Sequence, residues 1–593
     1  MSFNNCGLRT GLRKRGQWQL FKIHGLFLLF LASFGVLAIA ADQEGDPPGL
    51  SGNDGNGNLS KAQAAHFLTQ ATFGPTLEAI QDLVALGGYE AWLDEQFNQP
   101  VSLQLPATQT LVRQMCDSRA DSIDGNFQEA RVNAWWNTVI NGNDQLRQRV
   151  AFALSEIFVV SAVGPLSSSQ YGLANYNDML IANAFGNYRE LLEDVTLHPA
   201  MGIYLSMLRN EKAQPEKNIR PDENYAREVM QLFSIGVHEL NLNGTLKLAD
   251  GQPIPTYGQT DIEEFAKVFT GWNFANTSWT AWIGQGDRTR PMEPIEAFHD
   301  TGEKQLLNGV LLQANRTARQ DLDVAMDNLF THSNVGPFIG KQLIQRLVTS
   351  NPINSYVARV AAIFNDNGRG VRGDLKAVIK AILLDDEART GHLNSTTFGK
   401  VREPMLRLSH LRRAFPAIPM VREGERWGSG TCGQNPYELY TMPLPFPWDF
   451  RLVSGQDILR APSVFNFFLP DFAPPGPISD QALVAPEFQI MTENTLTGFS
   501  HAITYEIQNS NESVDWTVLN TTKEEALADD TTALLDRLDL VLLSGTMTTE
   551  MRGILADHLN NGDFPADSQR RRAAKARDAI TLIISSPSYL IQQ

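Results

Sequence analysis

Seventeen residues, Glu-Asn-Tyr-Ala-Arg-Glu-Val-Met-Gln-Leu-Phe-Ser-Ile-Gly-Val-His-Glu from Glu223 to Glu239, put a carboxylate where amphipathic patterning alone would not. Wound as a helix at about 100° per residue, Tyr225, Ala226, Val229, Met230, Leu232 and Phe233 share one wide arc. Glu223, Arg227, Gln231 and Ser234 share the opposite one. Glu228 falls at the edge of the apolar arc, with Leu232 one turn later and Ile235 two turns later on its own side. An unpaired buried carboxylate is costly, and one held against aliphatic side chains keeps its proton to higher pH, as a general acid or base requires. Glu223 and Arg227, four residues apart in the favourable order, read as an ordinary surface pair.

A second polar cluster is Phe298-His299-Asp300-Thr301-Gly302-Glu303-Lys304. It supplies a titrating base or metal ligand, an orienting carboxylate and a cation within a few residues. Two readings stay open. In the first, Glu228, His299, Asp300 and Lys304 meet in a cleft as catalytic groups, with Arg227 and Trp272 on an anionic or polar substrate, and the chemistry is hydrolysis of a polysaccharide or ester. In the second, Asp300 bonds nearby amides in a structured turn, His299 caps a neighbouring element, and Thr270-Gly271-Trp272 ends a helix against the core. His66, His198, His332 and His410 adjoin helical segments and read as structural. The chain has no G-x-S-x-G elbow, no H-E-x-x-H helix and no G-x-G-x-x-G after a strand, so no motif names a metal or cofactor. Asp54, Asn56 and Asn58 open like a calcium loop, but Leu59 and Ala65 replace its Gly and closing Glu.

The elements that must position these groups are mostly helical. Ser60 and Thr76 can cap short helices, Asp374 can cap Leu375 to Leu384, and Thr260-Asp261-Ile262-Glu263 reads as a capping box for a helix that Gly271 stops. Periodicity predicts further helices at Gln128 to Ile140, Asp144 to Val160, Val335 to Val348 with Asn334 as cap, Val357 to Phe364, Val401 to Ala414, Pro486 to Ile507, Thr532 to Leu543, Thr549 to Leu559 and Ser568 to Ile584. Asn243-Gly244 and Asn308-Gly309 mark two short β-hairpins. The expected fold is mainly α, a large multi-helical single domain over 60–593. A Pro- and aromatic-rich loop at 442–477, with Trp448, Phe450, Phe465, Phe467, Phe468 and Phe472, is expected to pack onto its body.

Residues 1–40 read as a signal peptide. Arg9, Arg13, Lys14, Arg15 and Lys22 precede an apolar run from Leu26, and Ala38-Ile39-Ala40 fits a cleavage site, with retention as an anchor the rival reading. A flexible lead-in rich in Gly, Asp, Asn and Pro follows at 41–59. Removing the five basic residues of the signal from 49 leaves 44 against 66 acidic residues, a net charge of −22. That charge disfavours nucleic acid as a partner. The expected location is periplasmic or extracellular, where Cys116 and Cys432 either form a disulfide or stand as separate buried thiols.

Several motifs follow one another in order: Ala65-His66-Phe67-Leu68-Thr69-Gln70-Ala71-Thr72-Phe73-Gly74-Pro75-Thr76, Asn224-Tyr225-Ala226-Arg227-Glu228, Phe269-Thr270-Gly271-Trp272, His299-Asp300 with Lys304, Gly373-Asp374-Leu375, Lys400-Val401-Arg402-Glu403-Pro404 and Ile584-Ser585-Ser586-Pro587-Ser588-Tyr589. From Ser60 to the end the succession resembles the large bacterial domain of unknown function numbered 1800, DUF1800. The resemblance implies an exported bacterial protein, often encoded beside a second exported family that resembles sulfatases and alkaline phosphatases. Gln231 and Phe233 stand where many relatives are expected to carry Glu and His, which removes two candidate ligands from any metal site. The inserted segment Glu239 to Tyr257 lengthens the route to the next helix. The favoured reading is a helical scaffold or binding protein acting with a co-exported partner, and the alternative is an exported hydrolase using the Glu228, His299 and Asp300 site.

Overall fold

The computed structural model describes residues 59–114, 127–418, 453–508 and 518–593. Residues 1–40, where a signal peptide is expected, nearly all of the expected lead-in, Cys116, Cys432, Trp448 and Phe450 lie outside the described residues. Helices open largely on the capping chemistry the sequence carries. Ser60 accepts from Gln63 N–H while the Gln63 side chain accepts from Ser60 N–H, and the helix Lys61–Ala71 follows. Thr76 caps Leu77–Leu86, and Asp374 caps Leu375–Leu384 through Ala377 N–H at 3.1 Å. Ser568–Ile584 forms with the expected bounds, capped by Asp567.

Several expected helix bounds are corrected: the helix expected from Val401 begins at Pro404, that expected from Pro486 to Ile507 is a 3-10 turn at Pro486–Ile490 followed by the helix Glu493–Gln508, and at four further places a side chain or loop competes for the backbone. The helix expected from Asp144 to Val160 is Gln145–Ser155. Beyond it the Phe158 carbonyl accepts from the Tyr176 hydroxyl, and Ala162 N–H donates to Leu459 O at 2.8 Å. The helix through Glu228 is Asn224–Gln231 and stops short of Ile235. There Ser234 Oγ donates to Val229 O, the Tyr188 hydroxyl donates to Phe233 O, and Gly236 turns the chain at φ +69°. The helix assigned to a box at Thr260 begins at Gln259, with Gly258 N–H donating to Asp261 Oδ2. Asn334 stands at the N-cap of Val335–Leu347 as expected, but its side chain makes no capping bond and instead anchors the segment at 235–240.

Strand content among the described residues is confined to two-stranded antiparallel sheets. Lys304–Gln305 pairs with Leu311–Leu312 across the Asn308-Gly309 turn, where both residues have positive φ. Lys400–Val401 pairs with the chain end, Gln592 opposite Lys400 and Ile591 opposite Val401. The fold is therefore mainly α. Its principal hydrophobic cluster extends from Ala64 to Tyr589 and includes Phe67, Trp136, Phe158, Phe233, Trp272 and Phe364. The helix Pro404–Ala414 is buried along its whole length and crosses this core.

The described part of the Pro- and aromatic-rich loop does pack onto the body. Phe467 and Phe468 are buried with Val159, Ala461 and Ile490, whereas Phe465 is exposed. Hydrogen bonds stitch the same segment down: Ser161 Oγ to Ala461 O at 2.7 Å, Gln345 Nε2 to Pro470 O at 3.1 Å, and Asn351 to both backbone groups of Val484.

Candidate functional site

His299, Asp300 and Lys304 are brought together, and the residue that gathers them is Asp321, on the helix Ala318–Phe330. Asp321 Oδ2 accepts from Lys304 Nζ at 2.8 Å and lies 3.2 Å from His299 Nε2, while Oδ1 accepts from Arg316 Nε at 2.7 Å. Lys304 Nζ also donates to Asp300 O and Gly302 O, so its three protons have three close acceptors. His299 Nδ1 lies 3.0 Å from Thr270 O, and Thr270 Oγ1 accepts from Asp300 N–H. Gly271, at φ +88°, permits this approach, because a Cβ there would lie 2.9 Å from His299 N. Burial alone would raise the Asp321 carboxyl, but hydrogen bonds from His299 and Lys304, with the Lys304 charge, hold it below the usual carboxylate range.

Glu228 is not part of that knot. Among the described residues no hydrogen bond or ion pair joins it to His299, Asp300 or Lys304. Its side chain is buried, Oε2 has no hydrogen-bond partner, and desolvation raises its carboxyl against the lowering effect of Arg227. Arg227 reaches back to Glu223 at 3.1 Å as the half-exposed surface pair the spacing predicts. Trp272 lies in the core, pairing through its strand with Glu293–Pro294.

A larger charged centre lies where the Lys400-Val401-Arg402-Glu403 motif meets the helical body. Arg149, Glu156, Arg346, Lys400, Glu403 and Glu487 are each 5% exposed or less. Lys400 Nζ binds Glu403 Oε1 at 3.2 Å, Glu487 Oε1 at 3.1 Å and Arg346 O at 3.0 Å. Gln456 Nε2 bridges the other oxygens, 2.6 Å from Glu403 Oε2 and 3.4 Å from Glu156 Oε1, and Asn466 Nδ2 reaches the same Glu156 oxygen at 3.4 Å. Arg346 Nε lies 3.8 Å from Glu156 Oε2, and its guanidinium covers the Phe468 ring. Burial, then the adjacent Glu403 charge, pushes the Glu156 carboxyl up to about 8. Burial would raise Glu403 as well, but the Lys400 charge and a hydrogen bond from Glu156 take it down to about 2. Burial and the neighbouring anion thus favour the neutral form of Glu156, whereas the Lys400 charge favours the ionised form of Glu403.

A family model described as a protein of unknown function, DUF1800, matches residues 66–591. The chain belongs to the DUF1800 family. No curated protein and no solved structure matches it. In this DUF1800 protein the matched span holds both charged clusters and Glu228. Sequence reasoning nominated His299, Asp300 and Lys304 but passed over Asp321 and Arg316. The signal was present, since Thr317 and Gln320 form a capping box that opens the helix carrying Asp321. Glu156 carried a comparable signal, a lone carboxylate directly ahead of the apolar run Ile157-Phe158-Val159-Val160. Lys400 and Glu403, three residues apart, lie in the Lys400-Val401-Arg402-Glu403-Pro404 motif, whose residue types alone assign them no role.

Among the described residues no cluster of three or more metal-ligating side chains occurs, and no helix is long and apolar enough to cross a membrane. What the two clusters do chemically is hold chain segments together. The Asp321 knot joins 299–304 to 316–321, and the Glu156 centre joins two helices, the 400–403 motif and the segment 453–490.

Proposed function

We propose that this chain is an exported helical binding protein that docks a co-exported partner through the hairpin region 237–257, which contains the inserted segment Glu239 to Tyr257. The observation that carries this reading is a group of exposed aliphatic side chains on a firmly mounted segment. Val237, Leu242, Leu246 and Leu248 are all exposed, Leu248 by 58%, within twelve residues of chain. Isolated exposed aliphatics are ordinary, but a group of them within one short segment is a feature of interaction surfaces. The base of the hairpin is fixed: Asn334 bonds Ile235 O, His238 O and Leu240 N–H, and Glu239 meets Lys247 at 3.0 Å and His332 at 3.4 Å. A preorganised element of this kind loses little entropy on binding. The engagement of His299 and Lys304 with Asp321 supports a structural role for that cluster.

The partner this reading names is the co-exported protein resembling sulfatases and alkaline phosphatases that the family resemblance implies. Purified together, the two proteins are expected to bind, and Leu242→Ser/Leu246→Ser/Leu248→Ser is expected to weaken binding at least about tenfold by removing apolar contact area. Unchanged affinity in that variant overturns the reading. The second reading, an exported hydrolase, is favoured by the unpartnered Oε2 of Glu228 and its raised carboxyl. In that case Glu228→Gln abolishes hydrolysis of a polysaccharide or ester substrate while the partner still binds.

A further inference from the structure

Three of the motifs that succeed one another along the sequence meet around Arg402, beside a buried cavity. Thr69, Thr72 and Gly74, from the segment Ala65 to Thr76, form one wall. Arg402 itself and His410, from the helix Pro404–Ala414, form another. Gln592, on the strand that begins two residues after Tyr589, closes the space. These residues are all buried, and the cavity has room for about one water-sized group. Gly74, at φ +124°, lets the first wall lie against the second, because a Cβ there would sit 2.5 Å from His410 Cα.

Most donors of the walls are committed. The Thr69 and Thr72 hydroxyls donate to Ala65 O at 3.0 Å and Leu68 O at 2.6 Å, and Gln592 Nε2 donates to Leu347 O at 2.8 Å. His410 Nε2 donates to Val541 O at 2.8 Å, which leaves Nδ1 to accept from Arg402 Nη1 at 3.2 Å, so the ring is neutral. Arg402 Nε is the exception: it is buried and has no hydrogen-bond partner. The charge behind it also lacks a counter-charge. Arg402, Arg407 and Arg413 are 5%, 7% and 7% exposed, and among the described residues none of the three forms an ion pair. Arg402 has the Tyr589 ring at 5.0 Å, Arg407 has the Phe499 ring at 4.3 Å, and Arg413 serves the carbonyls of Gly74, Val139 and Ile140. Ring faces and carbonyl dipoles soften a buried charge without neutralising it. Burial lowers each guanidinium only to about 10, so all three stay charged at neutral pH.

We infer that this cavity is a binding site for a single-atom anion, a halide such as chloride, held by Arg402 through its unpartnered Nε–H and its uncompensated charge. The size of the space excludes sulfate, phosphate and carboxylates, and the sign of the surrounding charge excludes a metal cation. A water molecule also fits. It can accept from Nε and donate to the threonine oxygens, but it leaves three buried positive charges as they were. A bound halide ties the segment 69–74, Arg402 and the strand Ile591–Gln592 to one counter-charge, and it stabilises the fold in proportion to its occupancy.

Two measurements on the full chain test the site. Crystals soaked in sodium bromide are expected to show an anomalous-scattering peak at the bromine edge beside Arg402 Nε, and Arg402→Met crystals to show none there. In solution, the folding equilibrium constant is read by urea titration in sodium bromide from about 5 to 500 mM, with ionic strength held constant by sodium gluconate, an anion too large for the cavity. It is expected to rise by up to about tenfold for each tenfold increase in bromide above the dissociation constant, and to stay level in Arg402→Met. Should Arg402→Met fail to fold, the wild-type peak and titration decide. Water density without an anomalous peak overturns the inference. So does a peak with no bromide dependence of folding, which marks an adventitious ion only, or an equal dependence in Arg402→Met. None of these results bears on the hairpin at 237–257, whose test is partner binding.

Discussion

The Asp321 knot and the Glu156 centre are both almost fully buried, yet they respond to burial in opposite ways. Asp321 is a single carboxylate facing Lys304, Arg316 and His299, so donors outnumber acceptors and the carboxyl is held down. Glu156 is one of three carboxylates among three cations, and burial first, then the nearby Glu403 charge, pushes its carboxyl up. Burial penalises both charges. The local ratio of donors to acceptors decides which carboxyl ionises. The two also differ in reach: the knot is closed within residues 270–321, whereas the centre draws on segments from Arg149 to Glu487.

The comparison can be broken by removing one charge from each side. Lys400→Met leaves Glu403 and Glu487 buried without their shared cation and is expected to lower the unfolding free energy by about 3–5 kcal/mol, measured by denaturant titration. Asp321→Asn is expected to cost less, about 2–4 kcal/mol, because Arg316, 30% exposed, can turn toward water while Lys304 keeps two carbonyl acceptors. If Asp321→Asn proves the more damaging, the wide centre is the less essential of the two. Glu223→Gln sets the lower end of the scale. It removes an exposed pair with Arg227 and is expected to change stability by only a few tenths of a kcal/mol.

Local sequence signals served well where the structure itself is local. Asp374 and Ser60 cap the helices they were expected to cap, and the 3.6-residue repeat from Ser568 to Ile584 matches the helix residue for residue. Glu223 and Arg227 form the pair their spacing requires. Expectations failed where a distant group captured the backbone. The helix after Asp144 ends early because residues beyond Ser155 bond Tyr176 and Leu459, and neither is signalled by periodicity around Glu156. Asn334 was read as a cap from its position, but its amide serves a segment about a hundred residues away. The candidate site followed the same division. His299, Asp300 and Lys304 are close in sequence and close in space, whereas the amide of Gln456 meets Glu156 and Glu403 only after the whole fold has formed.

The opposite pH responses of the two clusters can be separated by pairing each with a neutral variant, so that the buried histidines and remaining carboxyls cancel in the difference. Asp321, depressed in the folded chain, contributes stability that is present above its ordinary value of 3.8 and lost as pH falls below it. Glu156, raised from 4.5 to about 8, binds its proton more tightly when folded, so stability falls as pH rises through that window. The most direct measurement is therefore the unfolding free energy of the wild-type chain minus that of Glu156→Gln and of Asp321→Asn, taken from pH 3 to pH 9. The account predicts that the wild type loses ground to Glu156→Gln by a few kcal/mol between about pH 5 and 8. Its advantage over Asp321→Asn is predicted to shrink only below about pH 4. Two difference curves that run parallel, or a wild type that gains on Glu156→Gln as pH rises, would contradict it.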